Sequence, residues 1–179
     1  QEKKAGNYRS LRAHAYSPGR LWINKVTVMA LFTFIATLIL FAATICSGLI
    51  TITDGKWEIP WRMILSADFL AWLSCLALIP IQLWAATRRG MFASMGVGFV
   101  GLTAGMFVVK KSCWFLVPWS WGTRMMCPVL QLGPNGVMLD AGDPLLDPSV
   151  LPVGITLSLV GFFVVTGVTA LWFQRRELK

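Results

Sequence analysis

Few residues in this chain are of the types that do chemistry, and most of those stand alone. Asp68 is the one charge inside a long apolar run, ILSADFLAWLSCLALIPIQLWAAT at 64–87. An ionisable group in such a run is a default candidate for binding or proton handling; about one turn from the end of the run, a loop or helix contact is the competing reading. Cys113 and Cys127 share one loop, which leaves a disulfide between them open, while Cys46 and Cys75 fall in apolar runs. Asp140, Asp143 and Asp147 make that same loop acidic towards its end. The single histidine, His14, lies outside every apolar run, and no CxxC, HExxH, GxSxG or GxxxxGK[ST] occurs. The apolar runs therefore lack ligands for a haem or a structural zinc, and no catalytic residue, cofactor or metal is assigned to this chain.

The elements that carry these residues are set by hydropathy. Residues 26–50 contain no charge over twenty-five positions, enough for a helix rising about 1.5 Å per residue to cross a hydrocarbon core of ~30 Å. Three more runs follow at about 64–87, 91–109 and 151–173. Hydrophobic residues make up 56% of the chain and charged residues 13%, about half the ~25% of a soluble domain, and the mean hydropathy is +0.65. The expected fold is an all-α integral membrane bundle of four transmembrane helices. Its divisions are a basic segment at 1–25, a transmembrane domain at 26–173 and a short tail at 174–179.

Charge gives an orientation. Lys3, Lys4, Arg9, Arg12, Arg20, Lys25, Arg88, Arg89, Arg175, Arg176 and Lys179 fall on one side of the expected bundle. Only Lys56, Arg62, Lys110, Lys111 and Arg124 fall on the other, together with Asp54, Glu58 and the acidic loop. The positive-inside rule then puts both ends of the chain and Arg88-Arg89 in the cytoplasm of a multi-pass cell-membrane protein. The net charge of +8 is thereby read as topology and lipid contact, with no nucleic-acid partner. Tryptophans agree: Trp22, Trp84 and Trp172 mark the inner ends, and Trp57, Trp61, Trp114, Trp119 and Trp121 mark the outer surface.

The connections differ in kind. Arg88-Arg89-Gly90 is so short that the second and third runs must be antiparallel neighbours. Residues 110–150 form a long loop whose first half, SCWFLVPWSWGTRMMCPVLQL, suits short amphipathic or re-entrant outer helices broken at Pro118 and Pro128. Its second half, GPNGVMLDAGDPLLDPS, is turn-rich and suits water. A structural cap and a substrate-contacting surface both fit this loop, with Trp114, Trp119, Trp121, Asp140 and Asp143 the contact candidates. Gly101 and Gly105 carry the small-xxx-small pattern of close helix packing, Pro80 is expected to kink the second run, and Ser17-Pro18-Gly19 reads as a turn.

Two stretches resemble the cytoplasmic loop of type-2 ATP-binding-cassette exporter permeases. One is Glu2-Lys-Lys-Ala-Gly6-Asn-Tyr-Arg-Ser-Leu11, and the other is Tyr16-Ser-Pro18-Gly-Arg20-Leu-Trp-Ile-Asn-Lys25 leading into a long span. The ending Phe173-Gln-Arg-Arg-Glu-Leu178 after an apolar span is similar to the last helix of that family. Within the family the chain most resembles permease subunits of lantibiotic self-immunity transporters of Gram-positive bacteria. The resemblance implies that the four spans are the last four of six, with two helices preceding Gln1. It implies a coupling helix at the start, with Glu2, Gly6, Arg9, Leu11 and Arg12 meeting a cytoplasmic ATP-binding subunit that carries the ATP and Mg. It also implies a second permease subunit, identical or different, and an amphipathic antimicrobial peptide or lipid-like drug as the substrate expelled from the membrane. The chain itself is then not an enzyme. The alternative is a four-helix membrane scaffold or sensor that binds a partner without transport, its basic segment serving only as a lipid-binding arm.

Overall fold

The computed structural model describes residues 17–51 and 60–177, and among these the chain is helical with no strand beyond one isolated bridge. The helices are α1 (Pro18–Thr51), α2 (Trp61–Cys75), α3 (Leu78–Arg89), α4 (Met91–Val108), α5 (Pro118–Leu130) and α6 (Val150–Glu177). Single 3-10 turns lie at Trp114–Leu116 and Pro144–Leu146. With α2 and α3 counted as one rod, four rods are long and apolar enough to cross a membrane: Pro18–Ile50, Trp61–Arg89, Met91–Val108 and Val150–Arg176. α1 and α6 are apolar all round rather than along one stripe, the pattern of helices with no aqueous face. The segment expected to hold the coupling residues Glu2, Gly6, Arg9, Leu11 and Arg12 lies outside the described residues.

Two boundaries differ from the sequence expectation, and the kink expected from Pro80 falls one turn ahead of it. α1 begins at Pro18, not after a turn there, and the Ser17 carbonyl accepts from the Arg20 and Leu21 amides. Proline suits a first helical position because its missing N–H would have no partner there anyway. The second rod breaks at Leu76-Ala77, ahead of Pro80. The Pro80 ring nitrogen has no proton for the Leu76 carbonyl, so the chain tightens into i→i−3 bonds from Leu76 to Leu73 (3.3 Å) and from Ile79 to Leu76 (3.2 Å). α6 runs on to Glu177, carrying Arg175 and Arg176 in its last turn, where cations suit the negative end of the helix dipole.

The rods alternate in direction, which gives the bundle an arginine end and a loop end. At the arginine end Trp22 of α1 is fully buried, its ring 5.0 Å from Phe173 of α6 and its indole N–H donating to Thr169 Oγ1 at 3.0 Å. Trp172 stands edge-on to both Trp22 and Trp84. Arg176 lies over the Trp172 ring and donates to the Thr87 carbonyl at 3.1 Å, satisfying one orphan acceptor at the end of α3. Gly90 holds the α3–α4 hairpin at φ 92°, a conformation costly for any other residue, and donates to the Ala86 carbonyl. The core cluster of Trp22, Val26, Leu73, Leu76, Ile79, Ala170 and Phe173 sits in this half.

Candidate functional site

The loop end is built around α5, a helix that the bundle holds inside itself. Pro118 opens it at the first position, and Gln131 closes it in the left-handed conformation at φ 58°. Its polar groups turn inward. Ser120 donates to the carbonyls of Trp114 and Val117, and the Trp121 indole donates to the Phe115 carbonyl at 2.9 Å. These bonds fasten α5 to the turn that precedes it.

Glycines of two rods make room for it. The Trp119 ring lies on Gly101 of α4 so closely that a Cβ there would sit 2.2 Å from the ring, and the Trp119–Ser120 backbone lies against Gly105. Trp121 reaches Gly161 of α6 and Ala77, and Met125 packs on Gly154. Gly122 of α5 faces Ser74 of α2. Gly161 is eleven residues from the start of α6 and Ser74 thirteen from the start of α2. At ~1.5 Å per residue, the first turns of α5 therefore sit roughly 16–20 Å along those rods.

Arg124 fastens the rest of the loop. It is 6% exposed, and its guanidinium donates to the carbonyls of Leu145 (2.7 Å) and Pro144 (3.2 Å). Asp143 caps the same turn by accepting from the Leu145 amide at 2.8 Å, and Asp147 accepts from the Ser149 amide and hydroxyl. Those bonds from Ser149 hold the Asp147 carboxyl below the usual carboxylate range. Between these groups and α4 lies a cleft of about 430 Å³, lined by Lys110, Lys111, Arg124, Asp147 and Ser149 on its polar side and by Trp114, Phe115 and Val153 on its apolar side. A cleft with both signs of charge and an aromatic wall can hold a zwitterionic or amphipathic group.

The sequence candidates are thus redistributed. Trp114 and Trp121 are buried and Trp119 is packed on glycine, which corrects their expected place at the outer surface: all three are fixed by internal contacts. Asp143 acts as a turn cap, whereas Asp140 is exposed and free to meet a ligand. Asp68 lies one turn from Trp72 on the same face of α2, and one of its carboxylate oxygens is buried without a hydrogen-bond partner among the described residues. The structure does not bring Asp68 into the loop-end cleft. Cys113 and Cys127 are both free thiols, so the disulfide considered between them is not formed. Cys127 donates to the Thr123 carbonyl in its own helix. Among the described residues no cluster of His, Cys, Asp and Glu is placed to hold a metal ion.

The residue that sequence reasoning undervalued is Arg124, which had counted only as one of the few basic residues on its side. The signal was present: a lone arginine within WSWGTRMMC, among residues expected to pack. Comparison with protein-family models, with curated proteins and with solved structures finds no match to this chain.

Proposed function

We propose that this chain is a non-catalytic permease subunit of an ATP-binding-cassette exporter, and that it removes an amphipathic antimicrobial peptide or lipid-like drug from the membrane in the manner of lantibiotic self-immunity. The observation that carries the reading is α5. The resemblance puts short, tryptophan-rich helices between the last two spans, and here a helix from that stretch, lodged among α2, α4 and α6, closes the loop end of the bundle. In the membrane it would be re-entrant, with Ser120, Trp121 and Arg124 satisfied by protein. The basic residues of the arginine end support a cytoplasmic placement for that end.

In this reading the work divides between the ends. A separate ATP-binding subunit, carrying ATP and Mg, meets the 1–16 segment at Arg9, Leu11 and Arg12 and tilts α1. The core cluster at the arginine end ties α1 to α6 through Trp22, so the tilt reaches the bundle as a rigid-body movement. The loop end, where Asp140 is exposed, is where an amphipathic cationic peptide is released.

Purification of the protein from its native membrane in mild detergent, with mass spectrometry of the material that accompanies it, tests the proposal. The expected result is a stoichiometric ATPase with a phosphate-binding loop, whose activity on joining the permease falls when Leu11→Ala is introduced. Recovery of the chain alone, or with a partner that lacks such a loop, would replace this reading with the scaffold one.

A further inference from the structure

The second large cavity lies at the opposite end of the molecule from α5's cap and is different in character. It is a groove of about 530 Å³ between α3 and α4, open along one side, with Trp84, Arg88 and Arg89 at its mouth. Its walls are apolar along Ala93, Gly96, Val97 and Val100, and the Trp119 ring closes its far end over Gly101. From Ala93 to Gly101 the α4 wall runs about 12 Å at ~1.5 Å per residue. Among the described residues, the only charged groups in the lining are the two guanidinium groups.

Among the described residues, no carboxylate lines the groove beside them. The aspartates described, Asp68, Asp140, Asp143 and Asp147, all belong to the loop end. Arg88 lies over the Trp84 ring at 5.3 Å, which orients it without neutralising it, and Arg89 is exposed. The mouth is level with the tryptophan row at the arginine end, where indoles suit a membrane interface. A cationic mouth at the interface above an apolar slot that runs inward matches one kind of molecule: an anionic headgroup with an acyl chain.

We propose that this groove binds one molecule of an anionic phospholipid, the phosphate between Arg88 and Arg89 and an acyl chain along Gly96, Val97 and Val100 towards Trp119. The site depends on the membrane reading and not on an ATPase partner, so it stands or falls separately from the transport proposal. Basic pockets between spans on the cytoplasmic side select anionic headgroups in this way. The slot is open over Gly96, where a Cβ would meet nothing within 4 Å.

The test is native mass spectrometry of the full chain released from vesicles of equal parts phosphatidylglycerol and phosphatidylcholine. One phosphatidylglycerol should be retained in preference to phosphatidylcholine. Arg88→Gln with Arg89→Gln should lower that retention about thirtyfold, from about fivefold per basic residue. Gly96→Leu, which fills open space, should lower it about tenfold by displacing acyl methylenes. Val100→Trp, from a position 68% exposed, should act in the same direction and serves as the second filling variant. Loss with the arginine pair but none with either filling variant would mean adhesion to charge alone and overturn the site. Equal retention of both lipids, or displacement of the lipid by inorganic phosphate at millimolar levels, would overturn it too.

Discussion

α1 and α5 are opposites within one bundle. α1 is the longest helix, yet beyond Ala30 it presents Leu31, Phe32, Ile35, Leu38, Ile39 and Leu40 outward, and its hydroxyls at Thr33, Thr37 and Thr44 bond back to its own carbonyls. α5 has fewer than half as many residues, is amphipathic, and buries Ser120, Trp121, Arg124 and Met125. In water the first would be a liability and the second an oddity. In a hydrocarbon solvent the sense reverses, because apolar side chains lose nothing by facing out while every polar group needs a protein partner. The buried polar set of Ser74, Ser120, Arg124, Ser158 and Thr169 follows that rule: each of these side chains is hydrogen-bonded.

The sharpest way to break the contrast is to close the seat under α5. Gly101→Val should destabilise the protein by about 3 kcal/mol, since the Trp119 ring must leave and α5 with it. Gly96→Val, one turn and a fraction away on the same helix but facing open space, should stay within about 0.5 kcal/mol of wild type. Thermal unfolding of both in the same detergent gives the comparison. Next in size is Arg124→Met, expected to cost about 2–3 kcal/mol by leaving the Pro144 and Leu145 carbonyls without their charge-assisted donor. Limited proteolysis should then cut the 140–149 segment faster while leaving the α3–α4 hairpin unchanged.

At the arginine end Trp22→Phe should cost about 1–2 kcal/mol, from the bond to Thr169 and part of the ring contact with Phe173, read by the same unfolding measurement. The smallest effect is electrostatic. The Asp147 carboxyl is depressed in the folded state, so its contribution is present above the unfolded carboxylate pKa and is lost as pH falls through the lower folded value. Ser149→Ala removes the hydroxyl donor and keeps the amide one, so the Asp147 titration, followed by side-chain carboxyl NMR, should move part of the way upward towards the ordinary range and that acid-side dependence should shrink.

Much of the long-range order was legible because it depends on composition over tens of residues. Four rods and the tight Arg88-Arg89-Gly90 hairpin follow from hydropathy and from glycine and proline positions, and so does a helix opening at Pro118, but the break expected at Pro128 is absent: α5 runs through it to Leu130. What was illegible depends on where rods meet. The tryptophans at 114, 119 and 121 look interfacial in a list, and only the glycines at 101 and 161, on two other rods, turn two of them inward. Gly101 and Gly105 announced close packing without saying that the partner was a helix of the same chain. Arg124 acquires its role from carbonyls twenty residues on. Asp143 and Asp147 could have been read further: each precedes a proline and bonds the backbone two residues on, the usual turn chemistry of aspartate.

Whether α5 is held inside the bundle is the claim on which the rest depends, and a pair of cysteines asks it directly. A Cβ on Gly122 would lie 3.4 Å from the Ser74 Cβ, close to the spacing of a disulfide at ~3.5–4.5 Å. In a chain with the four native cysteines replaced by serine or alanine, Ser74→Cys with Gly122→Cys should cross-link within one molecule under mild oxidation in native membranes. The predicted result is near-complete intramolecular bonding, seen as a reduction-sensitive shift in mobility, with neither single variant showing it. A double variant that inserts normally, keeps both thiols free and never cross-links would contradict the account.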